Sequence, residues 1–167
     1  MSNKEAVPTN ARKYPSDRRL EEMEHDPYHA RMKLKEPTLC PDCSAVYSHG
    51  RWTWGEAPKD AHQTRCPACQ RTHDRVPAAF LTLTGDFRKQ HKEEIMHLIE
   101  NYEQRERAEH PLKRIMKIDD GEQALVVSFT DQHLARGTGE ALYNAYQGGL
   151  DHQYTKSDNL LRVTWHR

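Results

Sequence analysis

The longest hydrophobic pattern in the chain predicts an amphipathic helix over residues 86–109. One apolar stripe recurs at helical spacing in this charged stretch and is formed by Ile95, Leu98, Ile99 and Tyr102. Gly85-Asp86 provides a cap before the stripe, and Pro111 closes the helix because proline cannot continue the hydrogen-bond ladder. A helix with one apolar face packs against another layer of structure.

The residues after this helix predict a β-hairpin. Apolar runs at 114–118 and 123–130 are separated by Asp119-Asp120-Gly121. An Asp-Gly step between two apolar runs is typical of a tight turn between antiparallel strands, because glycine readily adopts the positive φ that such turns require.

A second amphipathic helix and a final strand complete the pattern. Residues 131–147 carry an apolar face, with Asp131 as the N-cap and Gly148-Gly149 as the terminator. Beyond them, polar residues alternate with an apolar series made by Leu161, Val163 and Trp165. The predicted order of helix, strand, strand, helix and strand suits a small α/β layer.

The N-terminal residues lack such a pattern. Residues 1–37 hold eight Lys and Arg against seven Asp and Glu, are interrupted by proline and contain few aliphatic side chains. Residues 16–24 resemble a short helix, but only Leu20 and Met23 could anchor it. Because so little apolar surface cannot offset the entropy of ordering, we predict a tail that is disordered or folds only on a partner.

Composition limits the size of the core. Of 167 residues, 35% are hydrophobic and 30% are charged, so a metal that cross-links the chain would help it fold. We predict an α+β protein in three parts. The first is the tail at 1–37. The second is a segment at 38–84 whose four cysteines, in two C-P-x-C motifs, predict an N-terminal zinc ribbon. The third is a small α/β domain at 85–167 that begins with the linking amphipathic helix and continues as β-hairpin, helix and strand.

The four cysteines form two identical motifs. Cys40-Pro-Asp-Cys43 and Cys66-Pro-Ala-Cys69 are both C-P-x-C, and twenty-two residues separate them. Two thiolates at this spacing can bind one metal ion from a tight turn, and the proline restricts φ to the value that the turn requires. Four thiolates close a tetrahedral shell that suits Zn²⁺ and leaves no open position for catalysis. The sequence therefore predicts one structural zinc ion bound by Cys40, Cys43, Cys66 and Cys69.

Other roles for these cysteines stay open at this point. CxxC motifs also form disulfides or redox pairs, although neither motif lies in a thioredoxin-like βαβ context. Sulfur ligands also bind mononuclear iron or iron–sulfur clusters. His49, His62 and His73 are available as replacement ligands, but four cysteines make them unnecessary.

Charge and hydropathy exclude several classes of protein. The chain carries 25 basic and 25 acidic residues, which argues against a polybasic nucleic-acid binder and requires any such contact to come from a local patch. No apolar run approaches the roughly 20 residues needed to cross a bilayer. Residues 1–19 lack the apolar region of a secretory signal, so we predict a soluble, cytoplasmic protein without membrane contact.

Arginines and tryptophans near the cysteines indicate a local RNA-binding patch. Both Trp residues of the Arg-Trp-Thr-Trp run at 51–54 share one face of an extended strand, where they either pack over the metal site or stack on bases. Residues in the first turn of the second helix lie beside N–H groups that bind anions. The candidates for RNA contact are Arg51, Trp52, Trp54, Arg65, Arg71, Arg75, His133 and Arg136.

Residues 131–140 contain the best candidates for catalysis, but their spacing does not require it. Neither GxxxxGK[ST] nor GxGxxG is present, so no nucleotide is expected. Gly137 and Gly139 fall inside the predicted helix, where they permit close packing of the helix on a sheet. An enzyme would need His133, Arg136 and Glu140 to converge on a pocket with Asp131. No nucleophile–base pair has a demanding spacing, so we predict a non-catalytic protein.

Several blocks together resemble a small bacterial zinc-ribbon family of unassigned function. The resemblance covers about residues 37–167 and is carried by TLCPDCSAVYSHGRWTW, RCPACQR, TGDFRKQHKEEI, TDQHLARGTGEALYNAYQGGLDHQY and LLRVTWHR. That family is more distantly similar to the N-terminal zinc region and following α/β domain of the archaeal and eukaryotic large-ribosomal-subunit export adaptor. The adaptor has more cysteine pairs, further domains and a transport segment, so an export role does not carry over.

This resemblance implies zinc ligation by the four cysteines and binding to RNA or the ribosome. Our leading hypothesis is a zinc-stabilised RNA- or ribosome-binding accessory protein. The alternative is a zinc-ribbon adaptor between proteins, which a net charge of zero also suits. An enzyme of unknown class is the third.

Overall fold

The computed structural model describes residues 27–28 and 33–167. Most of the predicted tail at 1–37, including the short helix at 16–24, lies outside the described residues. The described elements, in chain order, are β1 (Thr38–Leu39), β2 (Val46–Ser48), β3 (Arg51–Thr53), β4 (His62–Gln63), α1 (Pro67–Asp74), β5 (Ala79–Thr84), α2 (Asp86–Gln90), α3 (Lys92–Glu109), β6 (Ile115–Asp120), β7 (Leu125–Phe129), α4 (Gln132–Tyr146), β8 (Gly149–Thr155) and β9 (Leu160–His166). None of the described helices has the length and apolar character needed to cross a membrane.

Two sheets organise these elements, which confirms the predicted α+β class. The first sheet has four short strands in the order β3-β2-β1-β4, with β1 antiparallel to β2 and parallel to β4. The second has five strands in the order β6-β7-β5-β9-β8, in which β5 and β9 run parallel and the other pairs are antiparallel.

The central strand of the five-stranded sheet is absent from the sequence-based prediction. Residues 79–84, AFLTLT, lie in the range assigned to the zinc ribbon, yet they form β5 and pair with both β7 and β9. The alternation that marks this strand is present in the sequence, and it buries Ala79, Leu81 and Leu83 completely. The five-stranded sheet therefore begins before the amphipathic helix, while the division into domains at 38–84 and 85–167 stays a prediction.

Most of the elements predicted after residue 85 are present, with three differences. The helix expected over 86–109 is divided into α2 and α3 at His91, whose φ of −119° and ψ of 29° are not helical. Residues 149–155, which follow the glycine pair predicted to end the helix, continue as β8 along the edge of β9. The β6–β7 hairpin is present, but its turn is residues 121–124 and not the predicted 119–121, because Asp119 and Asp120 pair with Val126 and Leu125 in the strands. The helix α4 and the strand β9 are confirmed.

Helices α3 and α4 pack on the five-stranded sheet, and the core lies between the helices and the sheet. Fully buried side chains from both helices meet those of the sheet, with Trp165 and Phe129 the largest of them. A Cβ on Gly139 would lie 2.7 Å from Cγ1 of Val163, and one on Gly137 would overlap the Tyr102 hydroxyl. The prediction that these glycines permit close helix–sheet packing is therefore confirmed for Gly139, which lies against β9, and wrong for Gly137, which lies against the helix α3.

Candidate metal centre

The first cysteine pair lies in a tight turn after β1. The Cys40 N–H donates to the carbonyl of Ala45 at 2.8 Å, and the Ser44 N–H donates to the carbonyl of Cys40 at 2.9 Å. Ser44 has a φ of 67°, the left-handed conformation that lets the chain turn back into β2. This turn brings Cys40 and Cys43 to one end of the four-stranded sheet.

The second pair lies at the start of α1. Cys66 is the N-cap of this helix, and Pro67 occupies its first turn, where a missing N–H costs nothing. The Cys66 Sγ accepts from the Cys69 N–H at 3.4 Å, while the Cys66 N–H donates to the Cys40 Sγ at 3.2 Å. Backbone donors thus point at sulfur, as the CxxC geometry requires.

The four thiols form one cluster, and its geometry fits zinc. All four Sγ atoms lie within 4.8 Å of one another, and the Cys43 and Cys66 Sγ atoms are 3.8 Å apart. A Zn–S bond of about 2.3 Å sets the edge of a ZnS₄ tetrahedron at about 3.8 Å. Disulfide sulfurs lie about 2.05 Å apart, and all four cysteines are free. The chain therefore has a zinc-binding domain with a single structural zinc site.

A zinc ion held by four thiolates supplies a structural cross-link. Its coordination shell is complete, so no position is left for a water molecule or substrate. Folding of this region depends on the ion, because among the described residues the buried cluster consists of three of the cysteines with Ala45 and Ala68, and Cys43 is partly buried. Trp52 and Leu112 cover it as partly buried side chains.

The functional residue that sequence analysis missed is Arg114. Its guanidinium donates to Cys43 Sγ at 3.0 Å, to Cys69 Sγ at 3.1 Å and more distantly to Cys66 Sγ at 3.6 Å. The residue is only 9% exposed. It follows the last cysteine by 45 residues and the sequence identifies it only as the start of a strand, so no local pattern connects it with the metal motifs.

The environment of the cluster changes the acidity of its members. Burial acts to raise the pKa of Cys40, but backbone N–H donors, first that of Cys66, outweigh burial and lower the pKa to about 7. Burial raises the pKa of Cys66 and of Cys69, and the Arg114 hydrogen bond opposes the rise at Cys69. Burial acts to lower the pKa of Arg114, but its bonds to Cys69 and Cys43 raise it instead.

A groove of about 740 Å³ lies beside the metal centre. One wall comes from the four-stranded sheet and the start of α1, and includes Tyr47, Arg51, Trp52 and Arg65. A second wall is residues 109–113, which comprise the last residue of α3 and the segment that follows it before β6. The ring centroids of Tyr47 and Trp52 are 5.5 Å apart in an edge-to-face arrangement.

The structure brings three of the eight predicted RNA-binding residues to this groove. Arg51 is exposed, and its side chain makes no ion pair within the described residues. Trp52 lines the groove and also packs on the cysteine cluster, so its packing role is confirmed and stacking on bases stays a prediction. Arg65 lines the groove while its Nε donates to a carboxylate oxygen of Asp42 at 2.5 Å.

The other five predicted residues do not line the groove. The Trp54 indole N–H donates to the Arg107 carbonyl at 2.7 Å and so fastens the loop after β3 to the end of α3. Arg71 is 5% exposed and donates to the carbonyl of Val76. Arg75 is exposed at the left-handed C-cap of α1. His133 and Arg136 lie on α4, where His133 is exposed.

The four residues weighed for catalysis are used in other ways. Asp131 caps α4 by accepting from the Leu134 N–H at 2.8 Å, and of the four it alone lines the groove. Arg136 forms an ion pair with Glu140 at 3.2 Å along the surface of the same helix. The structure thus does not bring His133, Arg136 and Glu140 into a pocket with Asp131.

No family model, curated protein or solved structure matches the chain.

Proposed function

We propose that this chain is a zinc-stabilised RNA-binding accessory protein of the ribosome, and that the groove beside the metal centre holds a single-stranded segment of RNA. The observation that carries the proposal is that an exposed arginine, Arg51, lines the same groove as the aromatic pair Tyr47 and Trp52. Stacking of a base on an aromatic side chain contributes about 1–3 kcal/mol, and an adjacent guanidinium binds the phosphate.

The charge of the groove fits a local contact better than a general attraction to RNA. Arg51 supplies positive charge, whereas Arg65 is paired with Asp42 and Lys113 with Glu106. Glu109 and Asp131 add negative charge to the same lining. The chain as a whole has a net charge of zero, so distant steering is weak. We expect modest affinity for single strands, with few phosphates neutralised and a shallow dependence on salt. The resemblance to a zinc-ribbon family that is itself distantly similar to the large-ribosomal-subunit export adaptor favours the same class of partner.

The proposal predicts that Arg51→Ala weakens binding to a labelled single-stranded RNA without unfolding the protein. Because one phosphate contact is removed, the slope of log affinity against log salt should fall by about 1. Fluorescence anisotropy over a salt series measures both quantities. The matched control is Arg75→Ala, since Arg75 is equally exposed but lies outside the groove. Equal affinities for the two variants would contradict the proposal.

Native purification decides between RNA and a protein partner. A tagged chain is isolated with and without ribonuclease, and everything retained is identified. We expect ribosomal RNA or subunits that are lost after nuclease treatment and reduced by Arg51→Ala. A protein partner retained equally after nuclease treatment would overturn RNA binding in favour of the adaptor function.

A further inference from the structure

We infer that Arg114 is an outer partner of the zinc site that joins the metal to the five-stranded sheet, so that zinc occupancy sets the distance between the two walls of the groove. The inference concerns the shape of the groove and holds whatever the groove binds. It rests on the contacts of one guanidinium with three sulfurs and on the bonds that hold this guanidinium from the other side.

The charge at the site explains why an arginine is buried there. Four thiolates around Zn²⁺ carry a net charge of two minus, which a poorly solvated position disfavours. The Arg114 guanidinium lies 3.0–3.1 Å from two of the sulfurs and compensates part of this charge. Among the described ion pairs, none gives Arg114 a carboxylate, so sulfur is its anionic partner in the described part of the chain. The guanidinium lowers the free-energy cost of burying the thiolates, and the thiolates lower the cost of burying the guanidinium.

The guanidinium is fixed from the side of the sheet. Its Nε donates to the Pro111 carbonyl at 2.7 Å, and the Arg114 backbone N–H donates to the Thr130 hydroxyl oxygen at 2.9 Å. The same hydroxyl donates to the Leu112 carbonyl at 2.7 Å. Thr130 follows β7 directly, so these bonds tie the segment before β6 to the hairpin. Arg114 therefore reaches the sulfurs from a position that its neighbours hold.

Both walls of the groove meet at this connection. Residues 109–113, which form one wall, immediately precede Arg114, and Leu112 also packs on the cysteine cluster. The other wall, with Tyr47 and Trp52, belongs to the sheet that carries the metal motifs. Two further contacts span the junction, the Trp54–Arg107 hydrogen bond and the packing of Leu112. Without the metal the thiolates are no longer held together, so Arg114 loses its fixed anionic partner. The two walls then lose the polar connection that Arg114 provides.

The test compares Arg114→Met with Lys117→Met. Lys117 lies on the adjoining strand β6 but its side chain is 70% exposed, so its removal controls for charge and for changes in β6. Zinc transfer to a chromogenic chelator measures how firmly the metal is held. Because outer hydrogen-bond partners typically alter metal affinity 10- to 100-fold, we expect Arg114→Met to release zinc about tenfold faster or more, and Lys117→Met to match the wild type.

Cobalt substitution separates a direct role at sulfur from a general loss of stability. Thiolates that lose N–H donors become stronger electron donors, so the sulfur-to-cobalt charge-transfer band of Arg114→Met should move to lower energy. Arg114→Lys keeps one charge with a single donor group and should give an intermediate band and release rate. An unchanged band together with wild-type release of zinc from Arg114→Met would overturn the inference.

A third experiment uses the wild-type protein, so its result does not depend on whether a variant folds. Hydrogen exchange followed by mass spectrometry is measured with zinc bound and after chelation. We expect chelation to raise exchange in peptides covering residues 109–114 as well as in those covering β1–β3. Exchange at 109–114 that stays unchanged while β1–β3 open would show that the groove wall does not depend on the metal, and would contradict the inference.

Discussion

Cys66→Ser abolishes stoichiometric zinc binding and unfolds the four-stranded sheet with α1. Cys66 is fully buried, and its Sγ lies 3.8 Å from that of Cys43, so its loss leaves three thiolates and an open shell. Structural zinc contributes on the order of 10 kcal/mol in small sites, whereas in the part of the chain that the structure describes the buried cluster holds two alanines beside its cysteines. Elemental analysis of the variant and hydrogen exchange of residues 38–74 measure the two effects.

The control for this variant is His73→Ala. His73 lies on the same helix as Cys69, and its side chain is 63% exposed, so it should retain one zinc per chain and native exchange. The five-stranded sheet should remain protected in Cys66→Ser, because its core is a separate cluster centred on Trp165 and Phe129. A Cys66→Ser protein that keeps one zinc and a protected first sheet would refute the assigned ligand set.

Trp165→Ala lowers the free energy of unfolding by about 3–5 kcal/mol, which is a large part of the roughly 5–15 kcal/mol typical of a domain. Trp165 is the largest fully buried side chain, and its indole N–H donates to the Gln147 carbonyl at 2.8 Å. The substitution therefore opens a cavity and leaves that carbonyl without its donor. Urea unfolding of the zinc-loaded protein measures the change.

Tyr154→Ala is the matched control for the core variant. Tyr154 lies on the neighbouring strand β8 and is 43% exposed, so its removal should cost less than about 1 kcal/mol. If both variants lose a similar amount of unfolding free energy, the edge strand contributes as much to stability as the core, which would contradict this account.

The metal ligands could be predicted from the sequence because their geometry is local. A CxxC motif creates its own turn, and the proline and helix start that shape it are neighbours in the chain. The hairpin, α4 and β9 follow from local periodicity in the same way. The division of the long helix at His91 was missed because residues 86–109 remain favourable for helix on both sides of it.

The parts that escaped prediction depend on contacts between distant segments. β5 alternates over only six residues and lies next to the cysteine region in the chain, whereas its partners are β7 and β9. Arg114 meets the sulfurs only because the five-stranded sheet places the start of β6 there. Trp54 likewise donates a hydrogen bond to α3. The sequence pattern indicates only that Trp54 shares one face of a strand with Trp52. The RNA-binding candidates were selected by residue type, and only the fold determines which of them share a groove.

Zinc K-edge X-ray absorption on freshly purified, reduced protein, combined with elemental analysis, tests the central claim most directly. We expect one zinc per chain, surrounded by four sulfur atoms at about 2.3 Å. A metal content far below one per chain, or a first shell containing nitrogen or oxygen in place of any of the four sulfurs, would contradict the tetrathiolate site formed by Cys40, Cys43, Cys66 and Cys69.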